Sequence, residues 1–332
     1  MELVLIKIWL QEVNMKAGDT INTIKFSKIN NPATEMHNLE MLDISEDKIF
    51  DKNMLLYHPC NLNLFITNVC HNNCFFCING TDYGKEIKDD IYYYSLQKAL
   101  KELSKKQFEI TITGGEPTLK KERFVKTIQL CNEYGLPCRT VSTTGLALLD
   151  YYDNKPLCQH LIENNFTHNI NISRMHWDEM KNSNLFEGKN ITNNDIQNLA
   201  QFFYFNNAEM RISCNIIPGY IDDFNKMLKF VDFYRKRDVE TIMFRELIAR
   251  DFIPLSKILD FSIDNGFKYI KTLDGFNYIV DIYQYKDMIV KHYKTKPTTS
   301  KEIIFSLAFK NGVLIDNFCG KNIYIDLKEG FK

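Results

Sequence analysis

The sequence predicts an α/β fold built around a parallel sheet, either barrel-like or doubly wound. Short apolar strands alternate with amphipathic helices through the middle of the chain, an order that is typical of parallel sheets with helical connections. A turn containing polar residues follows each of these strands. The chain has 332 residues, of which 45% are hydrophobic, and this suffices for one α/β barrel with a packed core.

Six strands are predicted in order, with helices between them. Alternating or continuous apolar patterns place the strands at residues 61–67, 108–113, 138–142, 169–173, 210–216 and 241–244. The intervening helices carry apolar residues three or four positions apart, for example at Phe224, Met227 and Val231. The pattern therefore predicts six strand–helix units.

The regions on either side of these units are expected to be extensions. We expect an N-terminal extension over residues 1–59, with β-like stretches at 3–10 and 23–27, a barrel over 60–250 and a C-terminal extension over 251–332. The C-terminal region has β-like runs at 278–283, 303–309 and 322–326. Asn311-Gly312 between two of these runs is a hairpin signal. We expect this region to cover one end of the barrel.

The charge balance and hydropathy exclude several classes of partner. The chain has 41 basic and 42 acidic residues, for a formal net charge of −1, so no overall field attracts nucleic acid or anionic lipid. No apolar run approaches the roughly 18 residues of a membrane span. The apolar stretch 3–10 contains Lys7 and lacks a small-residue cleavage site, so it resembles a strand more than a signal peptide. We expect a cytoplasmic protein with no nucleic-acid or membrane partner.

The nine cysteines give the sharpest clue to function. Their odd number argues against a disulfide framework. Three of them, Cys70, Cys74 and Cys77, lie within eight residues of one another. Such a cluster of thiolates selects zinc or an iron–sulfur cluster. Four others lie in periodic apolar segments and are expected to be small buried hydrophobic residues: Cys131, Cys138, Cys158 and Cys214.

The number of ligands favours an iron–sulfur cluster over zinc. A structural zinc site needs four ligands, no second cysteine pair is present, and His71 adjoins Cys70 too closely for an unstrained tetrahedral site. A cubane cluster held by three thiolates leaves one iron open for an exogenous ligand. An open iron indicates chemistry, although a zinc module and a non-enzymatic iron–sulfur electron carrier remain alternatives at this point.

Polar motifs follow all six predicted strands and are expected to lie at one edge of the sheet. Ligands of parallel sheets bind outside the carboxyl ends of the strands, so one site should collect residues from every unit. In strand order the motifs are the cysteine loop 70–77, residues 114–117, residues 143–145, residues 173–174, Asn215 and residues 245–246.

These motifs resemble the radical S-adenosylmethionine (radical SAM) superfamily. The CxxxCxxC pattern of Cys70, Cys74 and Cys77, with the aromatic Phe76, resembles the cluster-binding signature of that superfamily. TGGEP at residues 113–117 resembles its second motif, and MFREL at 243–247 resembles the last strand in the branch that contains the molybdopterin-precursor GTP cyclase. The resemblance extends over about residues 60–250 and implies a partial (β/α)6 radical SAM barrel with a short N-terminal extension and a mixed α+β C-terminal extension.

The resemblance also implies the cofactors and the reaction. Cys70, Cys74 and Cys77 would hold a [4Fe–4S] cluster, whose open iron would bind the amino and carboxylate groups of S-adenosylmethionine (SAM). One electron, supplied by a reductant such as flavodoxin or ferredoxin, would cleave SAM to methionine and a 5′-deoxyadenosyl radical that abstracts a substrate hydrogen atom. The cofactors supply this chemistry, and the protein orients and shields it.

The same resemblance assigns contacts to SAM. Gly114 and Gly115, in the turn closed by Pro117, would let the backbone approach the methionine moiety, and Glu116 would offer a carboxylate to its ammonium group. Phe76 would flank the adenine. Ser142, Thr144 and Ser173 would contact the ribose or methionine groups, Arg174 would pair with the methionine carboxylate, and Asn215, Ile216 and Ile217 would lie at the adenine edge.

Residues 174–179 form the most unusual segment, because a guanidinium, an imidazole, an indole and two carboxylates follow the fourth strand in succession. Loops at this end of a barrel carry function. We therefore expect Arg174 or His176 to bind substrate or transfer a proton, and Arg245 to contact substrate or the methionine carboxylate. The alternative is a capped, well-packed loop.

The substrate is the least determined feature. After residue 250 only Cys319 remains, so the multi-cysteine auxiliary-cluster domain of peptide-modifying relatives is not expected, although Cys60 and Cys319 could join other cysteines in space. The first sixty residues look too short and irregular for a leader-peptide-binding domain. A small molecule, such as a nucleotide, sugar or amino-acid derivative, is therefore favoured, and a ribosomally made peptide is the alternative.

Overall fold

We describe the fold from a computed structural model. It describes residues 44–79, 86–136, 138–166, 169–247, 263–276, 278–296, 303–316 and 323–331. These residues all belong to one compact unit, Met36–Lys332. The β-like stretches expected at 3–10 and 23–27 lie outside the described residues, and so does Cys319.

The centre of the fold is a run of six parallel strands in one sheet. Its members in spatial order are β2, β3, β4, β7, β8 and β9, and every neighbouring pair among them is parallel. The strands of the chain are β1 (Ile44–Ile49), β2 (Lys52–Phe65), β3 (Phe108–Thr113), β4 (Cys138–Thr143), β5 (Tyr151–Tyr152), β6 (Lys155–Pro156), β7 (Asn169–Ser173), β8 (Met210–Asn215), β9 (Thr241–Arg245), β10 (Phe267–Asp274), β11 (Tyr278–Tyr285), β12 (Met288–Thr295), β13 (Ile303–Lys310), β14 (Val313–Asp316) and β15 (Ile323–Asp326).

Six helices connect or follow these strands in the described part of the chain. They are α1 (Asp89–Leu103), α2 (Lys121–Glu133), α3 (Leu157–Glu163), α4 (Glu179–Phe186), α5 (Asn193–Phe205) and α6 (Phe224–Arg235). Several begin at a side-chain cap that accepts a hydrogen bond from the first turn, as Asp178 does for α4 and Asp223 for α6. None of the described helices combines the length and the apolar composition needed to cross a bilayer.

The predicted succession of strands and helices is confirmed, and the largest boundary error concerns the first strand. β2 begins at Lys52 instead of residue 61 because its first half pairs antiparallel with β1, from Lys52 to Tyr57, before its second half pairs with β3. The sequence analysis did not predict β1, β10, β12 or β14. These strands lie outside the six-unit core, and their pairing depends on distant parts of the chain.

The two faces of the parallel sheet differ in chemistry. One face is apolar and packs against the helices, as the contact of Phe244 in β9 with Phe230 in α6 shows, with ring centroids 5.8 Å apart. The opposite face, which we call the polar face, carries Asn61, Thr111, Ser142, Asn171 and Arg211 at the alternate positions of five strands. A sheet with one polar face of this kind can line a site for a polar ligand.

The C-terminal strands lie at the two edges of the sheet rather than across one end of it. β12 pairs parallel with β9 and continues through β11 to β10, whereas β13 pairs parallel with β2 and continues through β14 to β15. The Asn311-Gly312 signal does mark a hairpin, which joins β13 to β14. Both turn residues have positive φ, 51° and 76°, as a tight hairpin turn with the favoured twist requires.

Candidate active site

The cysteine loop lies against the Gly-Gly-Glu turn at the carboxyl ends of β2 and β3. The backbone N–H of Gly115 donates to the Thr67 carbonyl at 2.8 Å, and that of Glu116 donates to the Val69 carbonyl at 2.9 Å. Asn79, beyond the last cysteine, donates through Nδ2 to the Gly114 carbonyl at 2.7 Å. The turn is therefore attached to both ends of the cysteine loop.

This attachment explains the two glycines. A Cβ atom on Gly114 would clash with the Thr67 carbonyl, and one on Gly115 would clash with the backbone of Val69. Gly114 also has a φ of 144°, which side-chain-bearing residues rarely adopt. The close approach that needs glycine is thus an approach to the cysteine loop itself, in addition to the contact with SAM that the resemblance implies.

The three thiols of the loop influence one another. Burial, followed by the neighbouring Cys77 and Cys70, raises the pKa of the Cys74 thiol to about 12. Burial also raises the pKa of Cys70, with contributions from Glu116 and Cys77. Metal binding would displace these protons, because thiolates are the ligands.

Three cysteines on one loop are the protein ligands that an iron–sulfur cluster takes. Within the described residues, no three His, Cys, Asp or Glu side chains are grouped as they would be around one metal ion. His71 is engaged elsewhere, since its Nε2 lies 3.0 Å from the Lys189 carbonyl.

Glu116 joins the second and third strand turns. Its Oε1 accepts from the backbone N–H and hydroxyl of Thr118, at 3.2 and 2.7 Å, and from the hydroxyl of Thr143 at 2.5 Å. Its Oε2 accepts from the backbone N–H and hydroxyl of Thr144, at 2.7 and 2.8 Å. Five donors saturate a carboxylate. Sequence analysis expected this carboxylate to face an ammonium group, whereas here it holds two loops together and is 1% exposed.

The remaining predicted SAM contacts differ in how accessible they are. Ser142, Ser173, Asn215 and Arg245 are half-buried, and the register of the strands places them on the polar face. Thr144 is buried, with its hydroxyl on Glu116. The other predicted contacts are buried apolar residues: Phe76, whose ring meets Phe75 and Phe186 edge-on, together with Pro117, Ile216 and Ile217.

Arg174 is the predicted site residue whose environment departs most from expectation. It is completely buried, and its guanidinium donates to the Tyr234 hydroxyl at 2.8 Å, the Ile191 carbonyl at 2.9 Å and Asn193 Oδ1 at 3.0 Å. These acceptors lie on or next to the helices, so the side chain is on the apolar side of the sheet. The structure gives Arg174 a structural role in place of the expected contact with a carboxylate.

His176 is buried, and only one of its two ring nitrogens has a hydrogen-bond partner among the described residues. Its Nδ1 accepts from the backbone N–H of Asp178 at 2.9 Å, and its ring lies 4.1 Å from that of Trp177. Burial lowers the pKa of His176 to about 4, and the positive charge of Lys181 acts in the same direction. The imidazole is therefore neutral at pH 7, with its proton assigned to Nε2.

A known family model matches the part of the chain that contains this site. Residues 64–184, which contain the cysteine loop and both following turns, match the model of the radical SAM superfamily. The match covers little more than a third of the chain, so it shows a likeness to this superfamily over the region of the site. This likeness implies a [4Fe–4S] cluster and SAM as cofactors, and the cysteine loop has the donor set that such a cluster needs.

Two curated proteins are distantly similar to this chain. Both are named GTP 3′,8-cyclase, come from two strains of Staphylococcus epidermidis and are 23% identical to it over 252 residues. The match covers 73% of this chain and 64% of each relative, so the chain spans less than two thirds of their length.

Two solved structures are also distantly similar to this chain over part of its length. Streptococcus suis SuiB bound to S-adenosylmethionine is 16% identical, with a TM-score of 0.47, over 60% of this chain and 43% of that one. Native anSMEcpe with bound AdoMet is 17% identical, with a TM-score of 0.40, over 56% and 51% of the two chains.

Sequence analysis missed a polar network on the polar face of the sheet. Arg211 Nε donates to Asn171 Oδ1 at 3.2 Å, and Asn171 Nδ2 lies 3.4 Å from the Ser142 hydroxyl. Burial lowers the pKa of Arg211 to about 10, against the opposing effect of Glu209. The signal was present in the sequence for Asn171 and Arg211, because each is a polar position between apolar ones in its strand.

Cys60 does not lie with the cysteine triad. It is fully buried in β2, at a position that pairs with Phe108, and burial strongly raises the pKa of its thiol. Cys131, Cys138, Cys158 and Cys214 are buried as well. Among the described residues, the accessible thiols are therefore those of the triad.

Proposed function

We propose that this protein reductively cleaves SAM at a [4Fe–4S] cluster held by Cys70, Cys74 and Cys77, and that it abstracts a hydrogen atom from a small polar substrate. One observation carries the proposal. The cysteine loop, the Gly-Gly-Glu turn and the Thr143-Thr144 turn are hydrogen-bonded to one another at the carboxyl end of a parallel sheet. When bound, the cluster and SAM supply a carbon radical for hydrogen-atom abstraction.

The protein's own residues bind, position and shield in this proposal. The three thiolates hold the cluster, and Glu116 fixes the relative position of the turns after β3 and β4 through Thr143 and Thr144. The strands at both edges widen the sheet beyond the six parallel strands. We retain the division into an N-terminal extension, a barrel over residues 60–250 and a C-terminal extension.

The charges on the polar face support a small substrate with an acidic group. Arg245 lies over the ring of Tyr293, 4.5 Å from its centroid, and forms no ion pair with a described carboxylate. Arg211 and Lys291 share Glu209, with Lys291 Nζ 3.0 Å from it. This part of the face therefore has an excess of positive charge, which suits a phosphate or carboxylate.

The distant relatives are consistent with a small-molecule substrate, since their name specifies GTP. We propose a nucleotide, sugar or amino-acid derivative as substrate, with a peptide as the alternative that substrate screening would reveal. A low-potential electron carrier, such as flavodoxin or ferredoxin, would supply the electron. An exposed iron is sensitive to oxygen, which favours the reducing cytoplasm.

The test is anaerobic reconstitution with iron and sulfide, followed by SAM and dithionite, with chromatography for 5′-deoxyadenosine. We expect a brown protein that forms 5′-deoxyadenosine, and loss of both properties in the Cys70→Ala, Cys74→Ala and Cys77→Ala variants. The matched control is Cys158→Ala, since Cys158 is buried in α3 away from the loop. A reconstituted protein that binds no SAM with or without candidate substrates would contradict the proposal.

A further inference from the structure

A cavity of about 280 Å³ opens beside the carboxyl ends of β7 and β8. It lies between the segment after β7, the turn after β8 and the first two turns of α6. We call it the rim cavity. Its principal lining residues are His176, Trp177, Lys181, Tyr220, Asn225 and Lys229.

The rim cavity carries two positive charges that no described carboxylate neutralises. Lys226, which also lines it, is paired with Asp222 at 2.5 Å and Asp223 at 3.2 Å. Lys229 has its ammonium over the ring of Trp177, 4.9 Å from the centroid, and neither Lys229 nor Lys181 forms an ion pair with a described acid. The carboxylate of Asp178 caps its own helix by accepting from the backbone N–H of Lys181.

A buried imidazole adds a third donor. His176 is 3% exposed, and because its Nδ1 accepts from Asp178, the proton of the neutral ring lies on Nε2. No described group accepts from that Nε2, although the ring lines the cavity. The Nε2–H group is therefore available to an acceptor that enters the cavity.

We propose that the rim cavity binds the phosphate or carboxylate group of a small organic anion. Two ammonium groups and an imidazole N–H have no side-chain acceptor in the part of the chain that the structure describes, and this combination is complementary to an oxyanion. The volume is near the lower limit of ligand pockets, so the site accommodates an acidic group with a short carbon skeleton rather than a whole nucleotide. The inference does not depend on SAM cleavage or on cluster assembly.

Tryptophan fluorescence can test this proposal directly. The chain has two tryptophans, Trp9 and Trp177, so the Trp9→Phe variant of the full chain has a single reporter, which lies in the wall of the cavity. The variant would be titrated with inorganic phosphate and, separately, with acetate, at constant ionic strength maintained with chloride. We expect a saturable change with phosphate or acetate and none with chloride, and the better probe identifies the type of acidic group.

A charge-matched pair of variants makes the test specific. In the Trp9→Phe background, Lys181→Gln combined with Lys229→Gln should raise the dissociation constant at least about tenfold, because each charge-assisted hydrogen bond is worth that much. Lys101→Gln combined with Lys268→Gln, two exposed lysines elsewhere, should leave it unchanged, and Lys181→Arg with Lys229→Arg should retain binding. Calorimetry would confirm the constants without relying on fluorescence.

Two results would overturn the proposal. One is the absence of saturable binding of both probes, and the other is binding that the Lys181→Gln and Lys229→Gln substitutions leave unchanged. All these lysines are exposed, so the variants are expected to fold. Because the measurement uses neither cluster nor SAM, its failure is distinguishable from failure of the proposed enzymatic function.

Discussion

The loops at the carboxyl end of the sheet fall into two groups with opposite organisation. After β2, β3 and β4 the loops are bonded to one another, through the glycine turn and the saturated carboxylate of Glu116. After β7 the polar residues bond mainly to helices and their caps, as Arg174 does with Tyr234 and Asn193. Similar polar residues at one sheet edge thus form the candidate cofactor site in one half and contribute to helix packing in the other.

The largest effect is expected from Gly115→Ala in the first group. The added methyl group would clash with the Val69 backbone, which cannot move without displacing the cysteine loop. We expect loss of most of the 5′-deoxyadenosine formed by the reconstituted enzyme, together with a lower iron content per chain.

The control for this variant is Gly135→Ala, at a turn where a Cβ atom meets nothing within 4 Å. Its positive φ of 68° makes that substitution mildly destabilising, yet the cluster should load normally. Normal iron content and activity in Gly115→Ala would show that the loops are not held together as described.

Glu116→Gln should have the next largest effect. The variant distinguishes a positioning role of the Glu116 carboxylate from direct binding of SAM. Backbone N–H groups of Thr118 and Thr144 face the two carboxylate oxygens. Whichever way the glutamine amide is oriented, its NH2 group therefore faces an N–H donor. We expect a loss of about 3 kcal/mol in the free energy of unfolding, from one charge-assisted bond lost and one buried donor unsatisfied.

Denaturant unfolding of the apoprotein measures this loss, and Glu122→Gln on the exposed surface of α2 is the control, with little expected change. A direct contact between Glu116 and SAM would give a different result. In that case stability would be unchanged and only the dissociation constant for SAM would rise.

The alternation of side chains along a strand predicts the placement of Arg174 better than its position in a motif does. In β7, Asn171 and Ser173 lie on the polar face, whereas Ile170 and Ile172 lie on the helix face and are completely buried. Continuing this alternation by one residue places Arg174 on the helix face, where the structure has it. The motif-based assignment failed because it considered only the position of Arg174 after the strand.

Other features depend on long-range pairing that local patterns do not specify. The strands of the six-unit core were predictable because each has its own apolar period and its own polar turn. The pairing of β12 with β9 and of β13 with β2 joins segments far apart in the chain, and nothing in their local sequence selects the partner. The saturation of Glu116 likewise depends on the threonines that two separate turns bring to it.

Arg174→Met tests the second group of loops, in which polar residues bond to helices and their caps. It removes three hydrogen bonds from a buried site, and we expect a loss of at least about 2 kcal/mol in unfolding free energy. The dissociation constant for SAM should change less than about tenfold. Arg235→Met, which removes surface ion pairs with Asp232 and Asp287, is the control and should cost less than about 1 kcal/mol.

Equilibrium unfolding and SAM binding to the reconstituted protein would be measured in parallel for the two arginine variants. Unchanged stability combined with weak SAM binding in Arg174→Met would restore the carboxylate contact expected from sequence.

The smallest effect concerns the pH dependence of stability at His176. Its pKa in the folded protein is about 4, lowered chiefly by burial and then by Lys181, whereas an unfolded chain has the ordinary value of about 6.5. Between these values the unfolded state binds more protons, so the contribution of His176 to stability is present above about pH 6.5 and is lost as the pH falls toward 4.

We expect the melting temperature to fall more between pH 7 and pH 5 in the wild type than in His176→Asn, whose amide oxygen can accept from Asp178. Parallel curves for the two proteins would show that the imidazole is hydrated enough to titrate normally, and that the second group of loops is more open than its packing indicates.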